Sequence, residues 1–293
     1  MAQGNPQLLY GLLFQSAAAT LQTFGRDPQW LGGELGLTLV LHTWGQTLEY
    51  HIHVHGIVTG GALAPDGERW IATKRRDFLF PVKGLAKVFR GKYLAGLHRA
   101  YVQGALRFAG STVPLAYPKA FARFIATLQQ HAWVVYAKKP FAAAAQVVSS
   151  LGRSTHRVAI SNHRLVAVPE GQVAFRWRDS RHGNSVKVMT LSAGECIRRF
   201  LLHTLPSGWV RMRHYGLLGN RCRAHTLPAS RKALSQPPPM PPAPASAPEL
   251  MRRLTGIDSE RCPHCHRGRL AVVATLYPLW PLEDVPRTTG PPS

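Results

Sequence analysis

The sequence predicts an α+β protein with helices flanking a mainly antiparallel sheet. Two β-rich runs lie early in the chain with only a few residues between them, which favours an antiparallel hairpin. Further along, segments with apolar residues at helical spacing alternate with more β-rich runs. Hydrophobic residues make up 45% of the 293 residues, which is enough to bury a core and excludes a wholly disordered chain.

A helix and the hairpin come first. Apolar residues recur at helical spacing over residues 8–24, and Gly32 and Gly33 end that pattern. The runs LTLVLHTW and LEYHIHVHGIVTGGAL follow, joined by a Gly-Gln-Thr turn, and they predict the two strands of the hairpin. Residues 84–108 return to helical spacing with one apolar side and basic residues elsewhere, which predicts an amphipathic helix.

The second half of the domain mixes helices and strands. We expect a short strand at residues 133–138 and a helix over residues 142–154. Three strands are predicted at residues 157–168, 172–178 and 185–190, with turns at Pro169-Glu170-Gly171 and Gly183-Asn184. A last helix is expected over residues 193–204, followed by the basic segment VRMRHYGLLGNRCRAH.

Proline marks the predicted domain boundary. The run PPPMPPAPASAP is too rich in proline for a helix or a central strand and predicts an extended, semi-rigid linker. We therefore expect a domain over residues 1–226, a Pro-rich linker over residues 227–256, and a CxxC segment with a disordered tail over residues 257–293.

Charge indicates the class of partner. With 36 Lys and Arg against 14 Asp and Glu, the formal net charge is +22, which predicts binding to a polyanion such as a nucleic acid. No apolar run approaches the roughly 18 to 20 residues needed to cross a bilayer. The start of the chain lacks the pattern of a secretory signal, so the cytoplasm is the expected compartment.

A row of histidines is the first candidate site. His51, His53 and His55 alternate through YHIHVHGIV, so a strand would project all three from one face, where they could hold one divalent cation. Imidazole suits zinc and manganese better than magnesium or calcium. Two alternatives remain open from spacing alone: an exposed face that tolerates histidine, or one core histidine between two solvated neighbours.

Several blocks carry a resemblance to a known family. These are LGGELGLTLVLHTWGQTLEYHIHVHGIVTGGAL, FLFPVKGLAKVFRGKYLAGL, LGRSTHRVAISNHRL, MRHYGLLGNRCRA and CPHCHRGRL. In this order they resemble the two-tyrosine rolling-circle transposases of the insertion-sequence ninety-one family, from about Asn5 to His225 and again near the C-terminus. The resemblance implies the HUH nuclease fold and a divalent metal, Mg²⁺ or Mn²⁺, bound by His53 and His55. His51 is a geometric candidate for the third ligand.

The resemblance also implies a mechanism and a partner. Family members bind single-stranded DNA of element ends, and a helix tyrosine attacks a phosphate to leave a 5′-phosphotyrosine link. Their two tyrosines lie four residues apart, and at the matching positions this chain has Ser150 and Ser154. We therefore expect nicking to be impaired, unless Tyr136 or Tyr215 acts instead.

Two other functions stay open beside the transposase. One is a non-catalytic DNA-binding relic or regulator of transposition that keeps the scaffold and the metal site. The other is an unrelated histidine-metal hydrolase, for which Glu49 is the only acidic residue next to the histidine strand. The family also carries a cysteine-rich zinc segment ahead of the nuclease domain. Since this chain opens at about GNPQLLYGLL within the family's pattern, the resemblance predicts an N-terminally truncated copy.

Basic residues and cysteines give the remaining candidates. Phosphate contacts by Lys and Arg, with bases stacked on nearby aromatic rings, hold single strands in many proteins. The residues expected to contact DNA are Lys74, Arg75, Arg76, Lys87, Arg90, Lys138, Lys139, Arg153 and Arg157. Cys262 and Cys265 form one half of a tetrahedral zinc site, and Cys222 with His225 has the spacing of the other half, although His264 or His266 could serve instead.

Overall fold

A computed structural model describes residues 1–75, 77–141, 144–155, 159–179, 182–237, 246–271 and 273. The chain divides into two compact units, Met1–Pro238 and Pro239–Ser293. The first unit contains α1 (Pro6–Arg26), β1 (Gly36–Trp44), β2 (Tyr50–Val58), β3 (Gly61–Leu63), β4 (Trp70–Ala72), α2 (Val82–Val102), α3 (Pro118–Gln130), α4 (Ala144–Thr155), β5 (Leu165–Ala167), β6 (Gln172–Asp179), β7 (Ser185–Ser192), α5 (Ala193–Leu201), β8 (Met212–Gly216) and α6 (Arg223–Ala233). The second contains α7 (Ala247–Thr255).

The predicted α+β class is confirmed, with antiparallel pairing throughout the described strands. The strands form three sheets, in the orders β2-β1-β8, β3-β4 and β5-β6-β7. The predicted hairpin is present as β1 and β2, and the run predicted as its second strand breaks after Val58 because β3 pairs with β4 instead. The third strand of the main sheet, β8, lies in the basic segment for which the sequence predicted no strand.

The main sheet has one apolar and one polar face. Leu37, Leu39 and Leu41 of β1 join a core cluster with Phe14 of α1, whose side chain has 0% exposure. Because side chains alternate along a strand, His42 of β1 points to the other face. The predicted helix over residues 8–24 is therefore confirmed as α1, and it covers the apolar face.

Helices α2 and α3 extend the layer on the side of α1. Leu94 and Leu97 of α2 pack with Leu9 of α1 and Phe121 of α3 in a second cluster. The sequence predicted a helix through residue 108, but α2 ends at Val102. Gly104 takes a φ of +66°, and the amide N–H of Ala105 donates to the Ala100 carbonyl oxygen, a glycine-terminated turn that closes a helix.

The strand predicted at residues 133–138 is absent from the described structure. The alternation that suggested it is real, since Trp133 and Val135 pack against the core clusters while Val134 and Tyr136 are 89% and 80% exposed. The segment pairs with none of the described strands. Alternating apolar residues therefore predict which side chains are buried, but they do not show whether the backbone pairs with another strand.

Residues that flank the sheet β5-β6-β7 hold the tip of the hairpin. Of the strand predicted at residues 157–168, only Leu165–Ala167 forms, and residues 156–158 lie outside the described part. Arg164 donates to the Gln46 carbonyl oxygen, Arg199 to that of Thr47 at 3.1 Å, and His203 to that of Leu48 at 3.1 Å. Three successive carbonyls of the β1–β2 turn are thereby bound, which fixes the two strands that carry the histidines.

Two helices occupy parts of the range 227–256 that the sequence assigned to a linker. Helix α6 extends to Ala233. Helix α7 begins after Ser246, whose hydroxyl accepts a hydrogen bond from the Glu249 amide at 3.4 Å. It ends at Thr255, and Gly256 follows in the left-handed conformation. These end signals, visible in the sequence, identify a helix there. Residues 238–245, which include most of the proline run, lie outside the described part.

Candidate metal centre

Three histidines meet on the polar face of the main sheet. They are His42 from β1 and His53 and His55 from β2, and their ligand nitrogens all lie within 4.8 Å of one another. The His42 ring centroid is 5.4 Å from that of His53 and 4.2 Å from that of His55. The group contains no carboxylate. Three converging imidazoles can hold a divalent metal ion.

The protein orients the ring of His53. Its Nδ1 lies 3.0 Å from the backbone carbonyl oxygen of His51. A carbonyl oxygen only accepts, so Nδ1 must carry the proton and donate it, which leaves the Nε2 lone pair for a metal. Burial lowers the pKa of His53 below its usual value, and the neighbouring His51 also lowers it, against the hydrogen bond to the His51 carbonyl. The neutral imidazole that metal binding requires is thereby favoured.

An aromatic stack supports His42. The Trp44 ring lies parallel to the His42 ring at 4.9 Å, and the Arg211 guanidinium lies 4.9 Å from the Trp44 ring centroid. His42 is only 4% exposed, and Trp44 is buried beside it. A ring packed in this way has little freedom to rotate, so His42 is the most firmly placed of the three histidines.

The sequence identified two of these three histidines. His51, His53 and His55 do share a face, with ring centroids 5.0 and 4.9 Å apart. The group of three contains His42 in place of His51, however. The hairpin brings His42 to the site, because the register pairs His42 with His53 and Val40 with His55. Counting outward from the predicted turn does not give this pairing, since the register shifts between His42 and Trp44, so the sequence alone had no signal for His42.

Helix α4, which carries the two serine positions, contacts strand β2. The helix predicted over residues 142–154 is confirmed from Ala144 onward. Ser150 is half-buried on this helix, whereas the side chain of Ser154 lies outside the described part. Tyr215 packs into the apolar core on the other face of the sheet, and burial raises its pKa. Tyr136 is exposed in the segment between α3 and α4.

The residues expected to contact DNA lie on several surfaces. Lys87 and Arg90 line a shallow cavity of about 250 Å³ with Lys83 and Trp133. This cavity is on α2, which packs on α1 and so lies on the apolar side of the main sheet. Lys138 and Lys139 are exposed. Arg76, Arg157 and the side chain of Arg153 lie outside the described part.

Three of the predicted cations have partners within the protein, and one of them is Arg90, which donates to the Gln129 carbonyl oxygen at 2.7 Å. The Lys74 Nζ donates to the Gln29 carbonyl oxygen at 2.6 Å. The Arg75 Nε lies 3.8 Å from an oxygen of Asp77, and its guanidinium lies 5.6 Å from the Phe78 ring centroid. The side chains of Lys74 and Arg75 remain largely exposed, so these contacts leave them accessible to solvent.

The four predicted zinc ligands belong to two units. Cys222 and His225 lie at the start of α6 in the first unit, and Cys262 and Cys265 lie in the second. All four cysteines of the chain are free thiols. The Cys222 thiol donates to the Gly216 carbonyl oxygen at 3.1 Å.

The fold and the histidine group define an α+β protein with a candidate divalent-metal centre beside a helix. Comparison with known families then identifies the chain. The family described as "Putative transposase" matches residues 36–225, a range that contains all three histidines and both serine positions. The chain belongs to this transposase family.

Two relatives support this assignment. The chain is 46% identical over 295 aligned residues to the protein named "Putative transposase y4qJ" from Sinorhizobium fredii, covering 100% of this chain and 72% of the relative. It is 27% identical over 239 residues to the "Transposase for insertion sequence element IS801" from Pseudomonas savastanoi pv. phaseolicola, covering 80% of this chain and 55% of the relative.

The structural comparison and the membrane search add two findings. No solved structure matches the chain. Within the described residues, none of the helices has the length and apolar character that crossing a bilayer requires.

Proposed function

We propose that the chain is a DNA-binding transposase of a rolling-circle insertion sequence in which the nicking step is impaired. The observation that carries the proposal is the group of His42 on β1 with His53 and His55 on β2. Strand β2 contacts α4, the helix with Ser150 and Ser154. A metal site beside a helix that presents hydroxyl groups is the arrangement that tyrosine nicking of single-stranded DNA requires.

The histidines would hold a divalent ion, which when bound supplies Lewis-acid polarisation of a phosphoryl oxygen. His42 is held by Trp44, and His53 by its hydrogen bond to the His51 carbonyl, so two of the three ligand rings are oriented before an ion binds. The phosphate of a bound strand would then be oriented toward α4. The role of this chain's own residues is to place the phosphate within reach of a nucleophile on that helix.

Helix α4 lacks the tyrosine that would act as this nucleophile. Tyrosine has a pKa of about 10 and carries its hydroxyl on a long aromatic side chain. Serine has a much less acidic hydroxyl, several ångströms closer to the backbone, at Ser150 and Ser154. The described metal group contains no carboxylate that could activate an alcohol as a base. We therefore propose that binding persists while cleavage is lost.

The DNA-binding part of the proposal rests on charge. A net charge of +22 greatly exceeds what solubility requires and fits a phosphodiester backbone. We propose that Lys74, Arg75, Lys87, Arg90, Lys138 and Lys139 contact DNA phosphates, together with Arg76, Arg153 and Arg157. Trp133 beside Lys87 and Arg90 offers an aromatic edge next to cations, a combination that suits single strands. Since the protein would bind DNA of the element, we propose that it acts in the cytoplasm.

Binding and cleavage can be measured on the same sample. We expect the full chain to bind a fluorescent single-stranded oligonucleotide from the DNA flanking the gene, with an affinity that falls steeply as salt rises. With Mn²⁺ or Mg²⁺ present, a denaturing gel should show neither a shortened strand nor a protein–DNA adduct. Salt-insensitive binding would contradict the electrostatic part, and an adduct mapped to any residue would contradict the loss of cleavage.

A second function is favoured by the same two serines. A protein that keeps the metal group and the basic surfaces but lacks the nucleophile can occupy element ends and compete with an active transposase. In cells that carry an active element of this type, expression of the chain should then lower the transposition frequency. An unchanged frequency, with DNA binding intact, would exclude the regulatory function.

A further inference from the structure

The second unit contains a tight hairpin around two cysteines. Arg261 and Arg269 pair as an antiparallel bridge at its base. Within the turn, the Cys262 amide donates to the Gly268 carbonyl oxygen at 2.8 Å, and the His266 amide donates to the Cys262 carbonyl oxygen at 3.0 Å. These bonds set the backbone of the turn without using either sulfur atom as a structural donor.

The turn directs backbone donors at sulfur. The Gly268 amide donates to the Cys265 Sγ at 3.3 Å. A Cβ at position 268 would lie 3.5 Å from the Cys265 Sγ and 3.8 Å from the Cys262 Cβ, so the two cysteines flank this glycine. Amide donors stabilise a thiolate over a thiol, and the pKa of Cys265 is lowered by the Gly268 and Arg267 amides and by Cys262.

Two thiolates separated by two residues are half of a tetrahedral zinc site. Among the described residues, no third His, Cys, Asp or Glu side chain joins Cys262 and Cys265 in a ligand group. His264 and His266 belong to the same turn but do not converge with both sulfurs. The hairpin therefore supplies two ligands and needs two more from elsewhere.

The other cysteines of the chain are poorly suited to complete the site. The Cys222 thiol donates to the Gly216 carbonyl oxygen, a bond that would have to break for the sulfur to bind zinc as a thiolate. Cys196 packs beside the buried cluster of Trp44, Leu48, Ala159 and Phe175. An identical hairpin on a second copy, by contrast, offers a matching pair of thiols and closes the tetrahedron by two-fold symmetry.

The positive charge around the hairpin favours a zinc site with four thiolates over one that combines thiolates with neutral histidines. A zinc ion with four thiolates carries two net negative charges, and each hairpin contributes Arg261, Arg267 and Arg269. The cations would offset the charge of the cluster and would repel a second hairpin in its absence. We propose that Cys262 and Cys265 bind zinc together with the same two residues of a second copy, so that one ion joins two chains.

Cobalt tests the proposal because thiolate ligation gives a charge-transfer band that the histidine group does not produce. Titration with Co²⁺ of the His42→Ala chain, in which the histidine group no longer competes for the ion, should saturate this band at one ion for every two chains, and Zn²⁺ should abolish it. Light scattering should show a dimer with Zn²⁺ and a monomer after chelation. Cys265→Ser should lose both the band and the dimer, whereas Cys196→Ser, the matched control, should keep both.

Three results would overturn the proposal. One ion per chain in a monomer, lost in Cys222→Ser, would assign the site to ligands of a single chain. A Cys262–Cys265 disulfide with no metal uptake would make the pair a redox site. A metal-bound hairpin in a protein that stays monomeric at all concentrations would exclude the second copy. None of these outcomes depends on DNA cleavage, so failure here is distinguishable from failure of the proposed function.

Discussion

Replacing His42 with alanine is expected to remove most of the affinity for Mn²⁺. His42 is the ligand that the hairpin register brings from β1 to the two histidines of β2. Without it, His53 and His55 remain as two ligands on one strand. His51, the neighbour on the same face, is the control position because it lies outside the group of three.

The expected loss of Mn²⁺ affinity in His42→Ala follows from the role of His42 as one of three ligands. At a metal–nitrogen distance of about 2.1 Å, ligand nitrogens lie about 3.0 to 3.4 Å apart in octahedral or tetrahedral coordination. The nitrogens of the group lie within 4.8 Å of one another, so ring rotations that close the widest gap by at most about 1.8 Å complete the site. Loss of a group that only supports a ligand costs about 10- to 100-fold in affinity. Loss of His42 itself should cost at least about 100-fold, or about 2.8 kcal/mol.

The assay is a calorimetric titration of Mn²⁺ into three variants: His42→Ala, His55→Ala and His51→Ala. Because His55 is exposed, its replacement leaves the core intact and checks that the loss in His42→Ala is not a folding defect. We expect both of the first two variants to lose affinity at least about 100-fold, and His51→Ala to change by less than about threefold. Loss in His51→Ala with retention in His42→Ala would refute this assignment of the ligands.

Three further predictions test the core, the DNA surface and a buried histidine. Phe14→Ala should lower the free energy of unfolding by about 3 to 5 kcal/mol in urea, since the ring is fully buried, whereas Tyr136→Ala should change it by less than about 0.5 kcal/mol. Lys87→Ala should reduce the slope of log affinity for single-stranded DNA against log salt by about 0.7, and an unchanged slope would remove Lys87 from the DNA surface. Burial lowers the pKa of His203, so the unfolded chain takes up a proton first and stability should fall as the pH drops below about 6.5. In His203→Gln this loss of stability at low pH should be smaller. An equal loss in both proteins would contradict the lowered pKa of His203.

Local patterns predicted the elements of the first unit well where packing follows sequence order. The hairpin of β1 and β2 and helix α1 agree with prediction, because a short turn and a single apolar stripe each determine their structure locally. Strand β8 was missed since its place beside β1 depends on a contact between residues about 175 positions apart, such as Thr38 with His214. No local periodicity reports such a pairing.

The candidate site was predicted only in part, because its third ligand also depends on a pairing between strands. Alternation along β2 placed His53 and His55 on one face, but alternation concerns one strand and favoured His51 as the third ligand. The true neighbour across the ladder is His42, which required the register of the hairpin. The support from Trp44 and Arg211 depends on side-chain packing and had no signal in the spacing of residues.

The central claim is that the scaffold of a nicking transposase remains while its nucleophiles are missing. Its most direct test is the covalent adduct between protein and single-stranded DNA, measured on a denaturing gel with Mn²⁺ present. We predict no adduct for the natural chain, an adduct for Ser150→Tyr with Ser154→Tyr, and its loss when His42→Ala is added to that variant. An adduct in the natural chain would contradict the claim, and so would a tyrosine variant that binds DNA and Mn²⁺ yet forms none.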